Sequence, residues 1–325
     1  MTLDFPRAGQ PFLGSDFPLP LDLPFTSQQA AAAGISSKQL SRLHAVGLVR
    51  HLAQNVYVAA QVLDSRELRG HALALIAPPY SVICDWTACW YWTGVDRPGR
   101  HLETEIDVFR FRGHDRLRNG LARSGQRWFL EEDVVALDNG LFVSTPIRTA
   151  WDLGRFYAPV VAMGGMDALQ RHGRFTVDEL VAGVERFKRQ RGVVLLRWLA
   201  PRVDGRSESP AEAGLRVRWH EAPGLPWPEL QIPILGDGGV ELFRLDLGVE
   251  ELLFAAEYDG EEFHGPDQEP ADTERRDVIS RDYGWAMEVF RRENVYGQRP
   301  DASVRLVQAF EEARRTFAER SRRSG

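Results

Sequence analysis

Carboxylates with the types and spacing that suit a divalent metal ion stand in the last third of the chain. Glu257 and Asp259 lie at the end of residues 252–258 (LLFAAEY), an apolar run that predicts a buried strand. Residues two apart on a strand face the same side of the sheet. Because a carboxylate in so apolar a segment is costly to bury without a partner, this pair predicts a functional site.

Asp246 lies near the end of the preceding predicted strand, residues 240–247. If the two strands are neighbours, Asp246 and Glu257 meet at one edge of the sheet, where they would share a hard divalent cation, Mg²⁺ or Mn²⁺. Such an ion would lower the pKa of a bound water and stabilise negative charge on a phosphate. We therefore expect metal-dependent phosphodiester cleavage, with Asp246 and Glu257 as ligands and with Glu212 and Asp259 in support.

The elements that must position these carboxylates are predicted in the order α-β-β-β-α-β-α. The predicted helices cover residues 209–220, 273–283 and 301–320, and the predicted strands cover residues 229–235, 240–247, 252–258 and 285–291. The first two strands are joined by Gly236-Asp237-Gly238-Gly239, a typical hairpin turn. This order is similar to that of the restriction-endonuclease-like core, PD-(D/E)XK.

Three short motifs in this region resemble the very-short-patch-repair-like branch of the PD-(D/E)XK nucleases, which is often found behind AbiEi-like modules. The motifs S-P-x-E, R-x-D and E-x-D-G-x-x-x-H are carried here by Ser209, Pro210, Glu212, Arg244, Asp246, Glu257, Asp259, Gly260 and His264. The match spans about 90 residues and includes Arg275-Arg276-Asp277 and Gly284-Trp285. The resemblance implies a DNA endonuclease.

One residue departs from the wider superfamily. Asp259 stands where (D/E)XK has its lysine, and residues 204–325 contain no lysine. In the resembled branch an aspartate at this place is usual, so the loss of lysine does not imply inactivity. It leaves open which group assists the attacking water. His264 is the candidate for acid–base assistance, because imidazole titrates near neutral pH.

Most of these residues also fit a purely structural role. Glu212 could serve only as the acidic half of a helix capping box. His264 could be a solvated turn residue, and Asp259-Gly260 could be only a turn signal. Arg275 and Arg276 could contact phosphate, or they could lie on a solvated helix face.

The N-terminal part predicts a winged helix-turn-helix over residues 25–62. Capping boxes open two helices, and residues 48–58 then predict two short strands around a polar turn. The polar face of the second helix carries side chains that can reach phosphates and base edges of DNA, namely Ser37, Lys38, Ser41 and Arg42. A winged helix that mediates only protein contacts fits the same pattern.

This stretch is similar to the winged-helix domain of AbiEi-type antitoxins. The residues that carry the similarity are Thr26, Gln29, Ala30, Gly34, Ile35, Ser36, Leu40, Leu43 and then Asn55-Val56-Tyr57. Asn55 stands where the family pattern usually has glycine. Farther along, residues 144–153 (STPIRTAWDL) resemble the middle domain of AbiEi-like proteins.

Composition and these motifs together predict an α+β or α/β protein of several domains. With 325 residues, 43% of them hydrophobic and 26% charged, the chain has the composition of an ordinary globular protein. We expect a Pro-rich extended arm over residues 1–24, the winged helix over 25–62, an AbiEi-like mixed α/β middle domain over 63–203 and the nuclease domain over 204–325. Tryptophans 86, 90, 92, 128 and 151 are expected in the core more than on a stacking surface.

The chain has no run long enough to span a membrane, since its longest uncharged apolar stretch, residues 72–84, falls short of the roughly 20 residues required. Acidic and proline residues interrupt the N-terminus early, which argues against a signal peptide. Cys84 and Cys89 are too few for a disulfide scaffold and are expected as buried thiols. We therefore expect a cytoplasmic protein without a membrane partner.

Two functions follow from these patterns. One is a Mg²⁺-dependent DNA endonuclease, steered to DNA by the winged helix, in phage defence or a toxin–antitoxin-like system. The other is an AbiEi-like antitoxin or transcriptional repressor whose nuclease-fold domain only contacts a partner, such as a cognate toxin or a second copy of the chain.

Overall fold

The computed structural model describes residues 12–78, 80–98, 106–110, 122–125, 127–173, 175–260 and 269–324. Contacts divide the chain into two compact units, Met1–Leu153 and Gly154–Gly325. The first unit contains sheets of three and five strands, and the second contains a sheet of four. The protein is therefore a mixed α/β chain with several sheets, in agreement with the predicted fold class.

The first unit contains five α-helices and eight short strands in its described residues. In chain order they are β1 (Phe25–Thr26), α1 (Ser27–Ala32), α2 (Ser37–Ala45), β2 (Val49–Ala53), β3 (Val56–Ala59), α3 (Arg66–Ala74), β4 (Ser81–Ile83), α4 (Asp85–Thr93), β5 (Ile106–Arg110), β6 (Ala122–Gly125), β7 (Val134–Ala136), β8 (Phe142–Ser144) and α5 (Pro146–Phe156). The strands form two sheets with the orders β1-β3-β2 and β6-β5-β4-β8-β7. The predicted sequence of helix, turn, helix and two-stranded ribbon is observed in α1 to β3.

Helices α1 and α2 begin where the sequence predicts. The side chain of Thr26 accepts a hydrogen bond from the N–H of Gln29 at 3.1 Å, and that of Ser36 accepts one from Gln39 at 3.3 Å. Each glutamine also accepts from the backbone N–H of its capping residue, which completes both capping boxes. Asn55, in the turn between β2 and β3, has φ of 60°, a left-handed conformation that asparagine tolerates in place of glycine.

The apolar face of α2 is shorter than its sequence pattern suggests. Leu40 and Leu43 are buried, whereas Val46 is 54% exposed. The reason is that α2 ends at Ala45, so Val46 serves as its C-terminal cap and leaves the helical register.

A buried ion network surrounds Arg148 on α5. Its guanidinium contacts the carboxylates of Asp133 and Asp152, and all three side chains are at most 4% exposed. The guanidinium of Arg127 contacts Asp152 as well, at 3.2 Å, and Asp85. The charged residues of the segment 144–153 therefore serve the interior of the first unit.

The second unit has seven complete α-helices, the end of α5 and four strands in its described residues. In chain order the helices after α5 and the strands are α6 (Pro159–Arg171), α7 (Val177–Gly183), α8 (Val193–Leu199), α9 (Pro210–Glu221), β9 (Glu229–Leu235), β10 (Glu241–Val249), β11 (Phe254–Tyr258), α10 (Glu269–Asp282), β12 (Ala286–Phe290), α11 (Arg292–Tyr296) and α12 (Ala302–Ser324), and α5 crosses the boundary between the units. From α9 onward the predicted order of elements is observed, with α11 as an addition.

The four-stranded sheet has the order β12-β11-β10-β9. Strands β9, β10 and β11 pair antiparallel, whereas β11 and β12 pair parallel. Helices cover β11: the ring of Phe254 lies 5.7 Å from that of Trp219 on α9 and 5.8 Å from that of Phe310 on α12. A second apolar cluster joins Ile279 on α10 to Ala255 and other strand residues. Strand β11 is therefore a buried central strand, as its apolar sequence predicts.

Helix α6 packs closely along α9, and both helices lie in the unit that begins at Gly154. A Cβ added to Gly164 would lie only 2.7 Å from Pro210, so only glycine permits this approach. The fully buried side chains of Asp167 and Arg216 form an ion pair across the two helices. Helices α6 to α8 thus belong to the same unit as the four-stranded sheet.

Within the residues that the structure describes, no helix is long and apolar enough to cross a lipid bilayer. Cys84 and Cys89 are both buried free thiols, as predicted.

Candidate active site

The first turn of α9 places Glu212 toward the sheet. The Oγ of Ser209 caps the helix by accepting from the N–H of Glu212 at 3.1 Å, and Pro210 occupies the first helical position. The carboxylate of Glu212 accepts from the N–H of Glu208 at 2.8 Å and from the side-chain amide of Gln231 at 3.0 Å. Ser209 therefore caps the helix, whereas the carboxylate of Glu212 binds the backbone just before the cap and also faces strand β9.

Asp246 and Glu257 come together across strands β10 and β11. Leu247 pairs with Ala256, so the register, continued by one residue, places Asp246 opposite Glu257. The carboxylate of Asp246 accepts from the N–H of Tyr258 at 2.9 Å. Asp246 is half-buried and Glu257 is only 5% exposed. The neighbourhood of these two carboxylates that the sequence predicts is therefore observed.

The acidic residues repel one another. Burial, together with the negative charges of Glu212 and Glu257, raises the pKa of Asp246 to about 8, against the opposing effects of the Tyr258 hydrogen bond and of Arg275. Burial also raises the pKa of Glu212, while its hydrogen bonds from Glu208 and Ser209 act in the opposite direction. Such mutual repulsion is typical of carboxylates that share a proton or a cation.

Arginines neutralise the other side of the cluster. The guanidinium of Arg275 lies 3.0 Å from the carboxylate of Glu257, and Arg276 lies 3.6 Å from Glu257 and 3.4 Å from Asp259. Arg291 also lies 3.6 Å from Asp259. Because Arg276 contacts both carboxylates, Glu257 and Asp259 face the same side, as their spacing predicts. The two α10 arginines thus line the site and do not project from an open helix face.

Gln231 adds a side chain to the predicted site. Gln231 was not singled out by the sequence, since a glutamine within a strand carries no signal of its own. Its left-handed φ of 54° interrupts regular strand geometry beside Glu212.

His264, the predicted acid–base residue, falls within residues 261–268, which lie outside the described part of the chain.

The donor set fits a hard divalent cation that keeps part of its water. Among the described residues, no three histidine, cysteine or acidic side chains converge on one cation position. Mg²⁺, however, is commonly held by one or two carboxylates plus water and phosphate oxygens, without a complete protein cage. Asp246 and Glu257, with Glu212 beside them, supply oxygen donors of this kind, and a cation would offset the burial and the repulsion that together raise the pKa of Asp246.

No family model matches this chain. The uncharacterized proteins MT2308 and Rv2248 of Mycobacterium tuberculosis are each 34% identical to it over 149 residues. The aligned part is 46% of this chain and 54% of each relative, so the chain spans about half the length of the curated relatives it matches. Because both relatives are uncharacterized, they suggest no activity for this site.

Asp246→Asn is expected to stabilise the metal-free protein at alkaline pH. An unfolded aspartate titrates near pH 4 and the folded Asp246 near pH 8, so the folded state holds the extra proton between these values. The free energy of unfolding of the wild type therefore falls as pH rises through this window. We expect the free energy of unfolding, measured in urea with EDTA, to be higher for the variant than for the wild type by more than about 1 kcal/mol at pH 8. The difference should be smaller at pH 5.

Asp282→Asn is the matched control, because Asp282 is an exposed residue of the same unit whose pKa is lowered by hydrogen bonding to Arg281. Asp282→Asn should not raise the free energy of unfolding at pH 8. A gain for Asp246→Asn that is equal at both pH values would contradict the raised pKa.

The predicted DNA-binding residues lie together in the first unit. Ser37, Lys38, Ser41 and Arg42 are all exposed on α2, while Leu40 and Leu43 on the same helix are buried. Lys38 and Arg42 are four residues apart and therefore adjacent on one helical face. This face, defined by these four exposed residues, is available for contact with a nucleic acid.

Proposed function

We propose that this protein is a metal-dependent DNA endonuclease with a PD-(D/E)XK-like core in the second unit and a winged helix-turn-helix at the start of the first. The observation that carries the proposal is the meeting of Asp246 and Glu257 across β10 and β11, with Glu212 close enough to raise the pKa of Asp246. A scaffold has no physical need to bring Asp246 and Glu257 together in a buried position.

Each group has a role in this proposal. Asp246 and Glu257 would hold Mg²⁺ or Mn²⁺, which supplies an acidified water and charge stabilisation when bound. Gln231 orients Glu212 through its amide hydrogen bond. Arg275 and Arg276 place guanidinium groups beside Glu257, where a phosphate of the bound strand would meet positive charge. His264 remains the proposed proton carrier.

The test is the dependence of DNA cleavage on a divalent cation. Supercoiled plasmid incubated with the purified full chain should become nicked and then linear with Mg²⁺ or Mn²⁺, and should stay supercoiled with EDTA. Absence of nicking under either metal ion, or equal nicking with EDTA, would refute the proposal.

A second function, that of an AbiEi-like antitoxin or repressor, is favoured by the exposed polar face of α2 and by the arginines that neutralise Glu257 and Asp259. A non-catalytic domain would use the same ion pairs to stabilise its acids. In that case the second unit would contact a cognate toxin or a second copy of the chain, and DNA would be bound and not cut.

Lys38→Glu combined with Arg42→Glu is expected to weaken DNA retention by either kind of protein. If both side chains neutralise phosphates, the dependence of log K on log salt should become shallower by about 2. Electrophoretic mobility shifts at several salt concentrations measure this change. Lys188→Glu with Arg189→Glu removes the same charge from an exposed site in the second unit and serves as the control; equal weakening by both double variants would contradict the assignment.

A further inference from the structure

In the second unit, an exposed tryptophan packs against a histidine ring and an arginine side chain. Trp227 is 61% exposed, and its ring centroid lies 4.5 Å from that of His220 at the end of α9. The guanidinium of Arg202 lies 5.6 Å from the ring of Trp227 and 4.4 Å from that of Trp198. His220 and Arg202 therefore both lie close to the ring of Trp227, and much of this side chain remains exposed to a ligand.

The loop that carries Trp227 is fixed. The indole N–H of the buried Trp219 donates to the carbonyl of Pro226 at 2.8 Å. This bond ties the backbone of the residue before Trp227 to helix α9, so the position of the loop is set before a ligand arrives. A pre-positioned ring loses little freedom on binding.

The positive charge of this cluster comes from Arg202. Among the described residues, Arg202 forms no ion pair with a carboxylate, and burial alone lowers its pKa. Its Nη1 donates to the carbonyl of Trp198 at 2.6 Å. Burial and the charges of Arg202 and Arg216 lower the pKa of His220 to about 4, so its imidazole is a neutral, flat ring at physiological pH. The cluster suits a ligand that is both aromatic and anionic.

The aromatic cluster and the acidic site lie at opposite ends of helix α9. His220 and Glu212 are eight residues apart on α9, or about 12 Å along the helix axis. Trp227 also precedes Gln231, the partner of Glu212, by only four residues. A spacing of about 12 Å corresponds to three or four stacked nucleotides at roughly 3.4 Å each.

We propose that Trp227 stacks an unpaired base of single-stranded DNA, with the phosphate of that strand beside Arg202. Stacking on an indole requires a base whose face is open, which a duplex does not offer, and an arginine beside the ring adds charge attraction to the phosphate. The inference rests on the proposed endonuclease for its function, since a strand held at the carboxylates would reach Trp227 a few nucleotides away. The substrate would then carry a single-stranded segment near the cleavage point.

The test measures binding of the full chain in EDTA, so that no cleavage occurs. A fluorescein-labelled single-stranded oligonucleotide and the duplex of the same sequence are titrated by fluorescence anisotropy. Trp227→Ala should weaken single-strand binding by about tenfold, whereas Trp227→Phe, which keeps a stacking ring, should stay within about threefold of the wild type. Trp128→Ala, at a tryptophan that is 80% exposed in the first unit, should leave the affinity unchanged.

The inference is overturned if the wild type does not bind the single strand, if Trp227→Ala binds as the wild type does, or if Trp128→Ala causes an equal loss. An equal loss for the duplex would also overturn it. Because binding is measured without a metal ion, a protein that never cleaves DNA but still loses single-strand binding through Trp227→Ala would refute the endonuclease and leave the stacking site standing.

Discussion

Glu257→Gln is expected to lower the rate of Mg²⁺-dependent DNA cleavage by at least about a hundredfold. The side chain is almost completely buried on the central strand β11 and faces Asp246 across the sheet. Glutamine preserves its size and can still hydrogen-bond, so the strand should pack as before. The substitution removes only the negative charge, which the proposed cation requires.

The charge of Glu257 has a second effect on the site. Arg275 and Arg276 are drawn toward it at 3.0 and 3.6 Å. With glutamine in place, both guanidinium groups lose part of their counter-charge and should bind DNA phosphates at least as well. We therefore expect DNA retention to be maintained or increased while cleavage fails, a separation that a general loss of folding cannot produce.

The measurement is single-turnover cleavage of end-labelled DNA, with binding followed in EDTA. Glu251→Gln is the control, because Glu251 is an exposed acid of the same unit close to β11. It should cleave at the wild-type rate. Wild-type cleavage by Glu257→Gln would remove this residue from the site, and a parallel loss of DNA retention would indicate misfolding.

Arg148→Met is expected to lower the free energy of unfolding of the first unit by about 3–5 kcal/mol. Arg148 is 4% exposed and lies between the carboxylates of Asp133 and Asp152. Methionine fills much of the same volume, but it leaves the buried carboxylates of Asp133 and Asp152 without the positive charge of Arg148. Removing one partner of a buried ion pair costs more than the pair itself contributes, because the remaining charge stays away from water.

Arg281→Met is the matched control for this stability test. Arg281 forms an ion pair with Asp282, but both side chains are largely exposed, at 70% and 48%. Exposed pairs contribute little, so we expect a change below about 0.5 kcal/mol. Urea unfolding of both variants gives the comparison, and similar losses at the two positions would contradict the role of the buried network.

Local chemistry made the ends of several helices predictable. Thr26, Ser36 and Ser209 each precede a helix and cap it through their side-chain oxygen, as the sequence indicates. Strand β9 has the predicted bounds because its apolar residues Leu230, Ile232 and Ile234 alternate with less buried ones. The signal for each lies within a few residues of the element itself.

Other elements depend on distant parts of the chain and were missed. Helix α6 contains Gly164 and Gly165, which weaken helical propensity but allow its close contact with Pro210. Strands β4, β7 and β8 have three residues each, too short to show a periodic pattern. Their pairing within the five-stranded sheet stabilises them.

The candidate site shows the same division. The neighbourhood of Asp246 and Glu257 was predicted from two strand ends, but β10 continues to Val249, so Asp246 lies within its strand and the antiparallel register sets it opposite Glu257. The contributions of Gln231 and Trp227 could not be found, because both arise from packing against α9. Among the tryptophans considered for stacking, 86, 90 and 151 are buried as predicted, whereas Trp128 is exposed.

The most direct test of the central claim compares the wild type with Asp246→Asn in single-turnover cleavage of DNA with Mg²⁺. We predict that the wild type cleaves only when the divalent ion is present. The variant should bind the same DNA and cleave it no faster than the wild type does in EDTA. Cleavage by Asp246→Asn at the wild-type rate, or wild-type cleavage that persists in EDTA, would contradict the assignment of this carboxylate cluster as the catalytic metal site.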